Sequence, residues 1–207
     1  MTLKTNDKTK NLWYNCTEQF SKHKKWGATA MLIETERLFL REMKKDDFKA
    51  LYNVLADTEI MKYYPYAFDE EKVKSWIERN IERYRVYGFG LWAVVLKDTG
   101  EVIGDCGLTM QNIGGRLKPE IGYHIRADKQ QKGYAKESAI AVRDWTFRNT
   151  TFNIIYSYMK YDNVPSIKTA LSYGCKLVDE FEDEVNGVTK VFAISRDEWS
   201  KLLDDKN

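Results

Sequence analysis

The stretch IGYHIRADKQQKGYAKESAIAVRDW, residues 121 to 145, limits the fold more than any other part of the chain. An alternating, strand-like run ends in a polar segment, a glycine follows, and a helical pattern begins. A further strand pattern, FNIIYSYM, starts at Phe152. Together these make a β-α-β unit, and such a unit sets two strands parallel within one sheet.

The segments before it favour hairpins. LIETERLFLREM, from Leu32, alternates as a strand, with Leu38 and Leu40 on one face and Arg37, Phe39 and Arg41 on the other. KDDFKALYNVLADTEIMKYY places Phe48, Leu51, Leu55 and Ile60 near helical spacing, with Asp46 or Asp47 as N-cap and Pro65 as the stop. A second helix is expected over DEEKVKSWIERNIERYRVYG, with Val73, Trp76 or Ile77, and Tyr84 inward and Gly88 closing it. LWAVVL and EVIGDCGLTM read as strands joined by the turn KDTG, and PEIGYHI as a third strand. After FNIIYSYM come a helix over VPSIKTALSYG and a closing hairpin, CKLVDEFEDEV with TKVFAIS, about Asn186-Gly187. The order β-α-α-β-β-β-α-β-α-β-β predicts a mixed α/β fold with helices on both faces of its sheet.

Composition narrows the function. The chain has 207 residues, enough for one domain with a real core, and 43% of them are apolar. A net charge of +2 argues against broad nucleic-acid binding. Cys16, Cys106 and Cys175 have no paired spacing and there are only two histidines, which argues against disulfides and against a metal centre. No stretch approaches the roughly 20 apolar residues that span a bilayer, and no signal-peptide core stands at the start, so a cytoplasmic protein is expected. Six lysines against Asp7 and Glu18 leave +4 in residues 1–30 and −2 in the rest. That segment reads as a basic extension, disordered or partly helical, before a domain over 31–207. Met31 stands directly before the first strand pattern as an alternative start. Contact of the tail with ribosome or nucleic acid is the other reading.

Two glycine patterns compete as ligand loops. GFGLWA, residues 88–93, matches G-x-G-x-x-A, but a helix precedes it and a strand follows, the reverse of a dinucleotide fingerprint. Gln130-Gln131-Lys132-Gly133-Tyr134-Ala135 is the stronger one, because its glycine opens a helix. The first amides of a helix lack internal partners and carry partial positive charge, which suits an anion such as a pyrophosphate. No Ser or Thr follows Lys132-Gly133, unlike a P-loop. Lys132 and Lys136 would add charge at the rim. Gly122, inside the preceding strand, marks a bulge or a close backbone approach. A splayed strand leading into an anion-holding helix start would form one track for an extended phosphorylated molecule. The plain alternative is an ordinary helix start with a turn glycine.

Three stretches then resemble the GNAT superfamily of N-acetyltransferases, in its branch like the ribosomal-protein alanine acetyltransferases. They are ETERLFLRE at 34–42, EIGYHI with QQKGYAKES at 120–138, and NVPSIKTALSYGCKLV at 163–178; with ISRDEW near the end, the likeness covers 31 to about 203. The resemblance implies a mixed, mostly antiparallel sheet with a splayed cofactor strand, and acetyl-CoA as cosubstrate with no metal. It implies that the backbone of Tyr123, His124 and Ile125 pairs with the pantetheine arm. Gln130, Gln131, Lys132, Gly133, Tyr134, Ala135 and Lys136 would then hold the pyrophosphate, and Asn163 and Ser166 would contact the cofactor. Many relatives have a tyrosine seven residues after the asparagine, as acid for the departing thiolate. This chain has Ala170 there, which leaves Ser166 as the substitute. That departure also keeps open a second reading, a non-catalytic CoA-sensing or protein-binding module.

Acetyl transfer to an amine makes its own demands. An ammonium must lose a proton before it attacks, and the developing oxyanion needs a donor. Glu120, on the same strand face as Gly122, is the first candidate base; the alternative is a structural carboxylate paired with a neighbouring Arg or Lys. A backbone amide near Tyr123 is the candidate oxyanion donor. Asp105 and Glu180 are weaker bases, His124 points away from Tyr123, and Glu137 reads as a first-turn charge facing the helix dipole. Cys106 and Cys175 read as core residues. The resemblance implies a small-molecule or peptide amine as acceptor, and a monomer or homodimer is expected. The aromatic run Tyr63, Tyr64, Pro65, Tyr66 and Phe68 reads either as a pocket wall or as a packed loop.

Overall fold

The computed structural model describes residues 32–184 and 186–204. The expectations for the basic extension, residues 1–30, and for Met31 lie outside the described residues. Eight strands form one sheet: β1 (Leu32–Glu34), β2 (Leu38–Arg41), β3 (Leu91–Leu96), β4 (Val102–Ile113), β5 (Arg116–Ile125), β6 (Ile154–Lys160), β7 (Lys176–Asp183) and β8 (Gly187–Ser195). The helices are α1 (Phe48–Leu55), α2 (Glu70–Tyr87), α3 (Tyr134–Asn149), α4 (Val164–Ser172) and α5 (Arg196–Asp204).

The sheet order is β1-β2-β3-β4-β5-β6-β8-β7, and every neighbouring pair is antiparallel except β5 and β6. These two are joined by α3, the crossover that a parallel connection needs. They pair through Glu120 and Tyr156 alone and then part, so the sheet is split along its middle. This opening positions the site.

Helices cover both faces. On one, the Trp76 indole of α2 donates to Asp105 of β4 at 2.9 Å, and the Tyr84 hydroxyl of α2 meets the Met43 amide at 3.2 Å. On the other, Trp145 of α3 packs edge-on against Trp92 of β3, with ring centroids 5.0 Å apart. Trp92, Tyr173, Phe147, Leu38, Leu40 and Leu51 are among the largest fully buried side chains. The purely apolar ones, Phe147, Leu38, Leu40 and Leu51, each contribute about 1.5–3 kcal/mol by leaving water.

Three elements differ from the sequence expectation. The first strand is a pair, β1 and β2, because residues 35–37 turn: the Leu38 amide donates to Thr35 Oγ1 at 2.9 Å, and the Arg37 amide donates to Glu137 at 2.8 Å. Helix α1 ends at Leu55 rather than at Pro65, since the Asp57 side chain accepts from the Glu59 and Ile60 amides at 2.8 and 3.1 Å and so competes with the helix ladder. Helix α5 was not expected. Its cap is a reciprocal pair: the Ser195 amide donates to Glu198 Oε2 at 2.9 Å, and the Glu198 amide donates to Ser195 Oγ at 3.2 Å.

Candidate active site

Two cavities meet at the split between β5 and β6. The larger, about 790 Å³, runs from the end of β5 along the starts of α3 and α4. The smaller, about 400 Å³, lies toward β4, β6 and the β7–β8 hairpin. Tyr63, Tyr64, Tyr123, His124, Asn163 and Ser166 line both.

The larger cavity gathers Tyr123 to Ile125, Gln130, Gln131, Gly133 to Lys136, Asn163 and Ser166. Of the residues that the sequence singles out for this track, Lys132 alone is not in its wall; its carbonyl instead accepts from Arg37 Nη1 at 3.0 Å. Gly133 is the N-cap of α3, with φ 84°, a left-handed conformation that strains any residue with a Cβ. Gln131 before it also has a positive φ, 59°. The loop is braced from two sides. Gln130 Nε2 donates to the Ile125 carbonyl at 2.9 Å. Glu137 accepts from Thr35 Oγ1 and from Arg37 Nε, each at 2.6 Å. Burial works against the charged Glu137 carboxylate, but the donors from Thr35 and Arg37 outweigh it and hold its pKa low. The first-turn charge is therefore a brace tying the β1–β2 turn to the helix start.

The expected bulge at Gly122 is absent. Strands β4 and β5 keep one register from Gly104 opposite Ile125 to Ile113 opposite Arg116. The Arg126 amide donates to the Ile103 carbonyl, so by antiparallel alternation residues 120, 122 and 124 exchange bonds with β4. Residues 121, 123 and 125 turn their backbone groups the other way: the Ile121 carbonyl accepts from Ser157 Oγ of β6 at 3.3 Å, and beyond it residues 123 and 125 face the split. The free edge comes from β6 departing, not from β5 bulging. Gly122 serves a close approach instead: a Cβ there would stand 3.2 Å from Glu120 Oε2. The Glu120 carboxylate thus leans over Gly122, toward His124.

Glu120 is 8% exposed and lines the smaller cavity. Its partner is Thr109 Oγ1, at 3.1 Å from Oε2, and among the described residues no Lys or Arg pairs with it. Burial pushes its pKa up to about 7. A carboxyl poised there exchanges protons readily at neutral pH. Tyr123 leaves the opposite sheet face, and its hydroxyl donates to the Ser166 carbonyl at 3.1 Å. The Ser166 amide donates to Asn163 Oδ1 at 3.2 Å, the N-cap bond of α4. So Tyr123, Asn163 and Ser166 form one polar cluster at the junction.

The other candidates separate. Glu180 is exposed, 3.6 Å from Lys190, and lies in neither cavity wall. Asp105 is wholly buried and bonds to His124 Nδ1 at 2.8 Å. Tyr173 is enclosed in the core, and Ala170 is buried on α4. Cys106 and Cys175 are buried, and burial raises both thiol pKa values, Cys175 to about 12. Tyr63 and Tyr64 line both cavities, Pro65 the smaller, while Phe68 packs edge-on against Trp76 at 5.5 Å. Sequence reasoning missed the wall of the smaller cavity contributed by β6 and the β7–β8 hairpin, among them Tyr158, Phe181 and Thr189. No motif marks these residues, since they come from three separate strands.

Residues 37–176 match the acetyltransferase (GNAT) domain model. The chain belongs to the GNAT acetyltransferase family. It is 27% identical over 176 residues to the uncharacterized N-acetyltransferase YnaD of Bacillus subtilis (strain 168), covering 82% of this chain and 100% of that protein. Among solved structures, a GNAT-family acetyltransferase from Bacillus anthracis superposes with a TM-score of 0.70 at 24% identity, covering 81% of this chain and 99% of that one. RimL, a ribosomal L7/L12 alpha-N-protein acetyltransferase solved in complex with coenzyme A, gives a TM-score of 0.67 at 18% identity, over 80% of this chain and 98% of that one. At these identities the two structures speak for the fold. Among the described residues no group of three or more His, Cys, Asp or Glu side chains is placed to hold a metal ion, and no helix is long and apolar enough to cross a membrane.

Proposed function

We propose that this chain transfers the acetyl group of acetyl-CoA directly to a primary amine, on a peptide N-terminus or a small molecule. The observation that carries this reading is the meeting of two unlike cavities at Tyr123 and Ser166. One ends at a helix start suited to an anion; the other holds a buried carboxyl with a pKa near neutrality.

The larger cavity fits acetyl-CoA. The amides that open α3 have no intrahelical acceptors, and the left-handed turn at Gly133 brings backbone close to whatever lies there. Lys136 lines the rim, and the Tyr123 backbone groups with the Ile125 amide face the split, where an extended arm can pair as an added strand. When bound, acetyl-CoA supplies the activated acyl group. The Tyr123 amide faces the junction and can donate to charge developing on the acyl oxygen. The Ser166 and Tyr123 hydroxyls, both in residues that line the two cavities, supply the proton that the departing thiolate needs in this reading. Glu120 takes a proton from the attacking nitrogen, and its own proton can be returned to the acid at the junction.

Thermal-shift titration tests the cofactor. At a hundredfold excess over the dissociation constant, a single-site ligand adds about 2.7 kcal/mol of stability. Acetyl-CoA and CoA are both expected to raise the melting temperature; no shift with either contradicts the proposal. Free thiol release across a panel of amines and peptides then tests the transfer. Binding without release on any acceptor would favour the CoA-sensing module.

A further inference from the structure

His124 and its partners form a chain that the steps above leave unused. Its Nδ1 lies 2.8 Å from Asp105 Oδ1, and its Nε2 lies 2.9 Å from the Tyr64 hydroxyl. The second oxygen of Asp105 accepts from the Trp76 indole at 2.9 Å. With Asp105 accepting at Nδ1, the neutral imidazole carries its hydrogen there, and Nε2 is left to accept from the Tyr64 phenol. Asp105 is fully buried and His124 nearly so, whereas Tyr64 is 45% exposed and lines both cavities. The chain therefore runs from a buried carboxylate to the junction, with its open end beside the reacting groups.

We infer that Tyr64, backed by His124 and Asp105, is the entry point of a proton relay that neutralises the acceptor ammonium before attack. This rests on the acetyl-transfer reading. An ammonium that becomes an amide sheds two protons, the departing thiolate takes one, and one is released overall. In the relay, an N–H bond of the ammonium breaks as an O–H bond forms on Tyr64. The original Tyr64 O–H bond breaks in turn as an N–H bond forms on His124 Nε2. The products are a neutral amine and an imidazolium against Asp105. The second proton, lost as the amide forms, goes to Glu120. The imidazolium returns its proton through Tyr64 to solvent when product leaves.

The electrostatics agree with that direction of flow. Burial opposes charge on His124, but the Asp105 carboxylate, by charge and by hydrogen bond, and Glu120 on the same strand face outweigh it and raise the imidazole pKa. Burial of the phenol end, with Glu120, Asp105, Tyr123 and Tyr158 around it, raises the Tyr64 pKa far above the ordinary phenol range. Tyr64 therefore rests as the phenol, and in the relay it accepts a proton while giving its own to His124. From α2, Trp76 faces the chain as a donor to Asp105, and Arg83 lowers the Glu120 pKa by its charge.

The test compares wild type with Tyr64→Phe, which keeps the ring and removes the hydroxyl, using acetyl-CoA and two acceptors: an alkylamine of high pKa and a fluorinated amine largely neutral at pH 7. The variant is expected to lose tenfold or more in acceptor kcat/KM for the alkylamine at pH 7. It should lose less than threefold for the fluorinated amine, and should recover toward wild type as pH rises to 9.5. The thermal shift with CoA should stay the same. His124→Gln should show the same selective loss. Equal losses for both amines, losses constant with pH, or no loss at all would overturn the relay while leaving acetyl transfer standing. A wild type that acetylates neither amine, nor any acceptor in the panel, would remove the reading and the relay together.

Discussion

The two cavities are built in opposite ways. The larger draws its polar wall mainly from two short runs of chain, residues 123–136 and 163–169, and presents backbone amides, a glycine turn and short side chains. The smaller takes its wall from the 63–65 loop, α2, β4, β5, β6 and the closing hairpin, and presents aromatic rings and one buried carboxyl. A ligand held by backbone can be recognised by a local segment, because the amides exist in any sequence that makes the turn. A ligand held by side chains needs residues from many strands at once. In the proposed reaction the first arrangement suits acetyl-CoA and the second its amine acceptor.

Substitutions that touch one cavity should leave the other working. The largest effect is expected from Glu120→Gln, which removes the base: kcat should fall by roughly 10²–10⁴ while the CoA dissociation constant changes less than twofold. An equal loss in CoA binding would show that the cavities are not separable there. The same variant should change stability with a definite sign. Because the folded-state pKa of Glu120 is raised from 4.5 to about 7, its contribution is fully present below pH 4.5 and lost as pH rises through 7. Glu120→Gln, permanently neutral, should therefore be more stable than wild type at pH 9 by about 2–3 kcal/mol. That gap should close toward pH 4.5 in urea titrations.

On the other side, Gly133→Ala places a Cβ at φ 84°, 3.3 Å from Arg37 Nη2. It should cost roughly 1–2 kcal/mol and weaken CoA by about 5- to 30-fold in calorimetric titration, with the acceptor KM unchanged. Smallest is Arg37→Ala. The Arg37–Glu137 pair is partly exposed, so its loss should cost only about 0.5 kcal/mol and loosen CoA binding a few-fold, more at low salt than at high.

The larger cavity was legible in the sequence because its parts are local: a strand exit, a glycine that opens a helix, and an asparagine that caps the next one. Its brace was not, since nothing near Glu137 in sequence announces that it bonds to Thr35 and Arg37 a hundred residues away. Gly122 was recognised as special, yet alternation alone could not distinguish a bulge from a seat for the Glu120 carboxylate. The Asp105–His124–Tyr64 chain was half visible. Its members appeared singly, but the loop that brings Tyr64 onto His124 follows from α1 ending early at Leu55, which the apolar spacing concealed. Helix α5 had a readable capping pair, Ser195 and Glu198; its short apolar face masked it.

The central claim is that Glu120 accepts the proton at the junction of the two cavities. The direct measurement is the pH dependence of acceptor kcat/KM, with an amine already neutral across the range, for wild type and Glu120→Gln. Wild type should rise through a midpoint near pH 7, where burial places the Glu120 carboxyl, and the variant should be low and flat from pH 5.5 to 9. A variant that keeps the same rise at the same midpoint would contradict the account and place the base elsewhere.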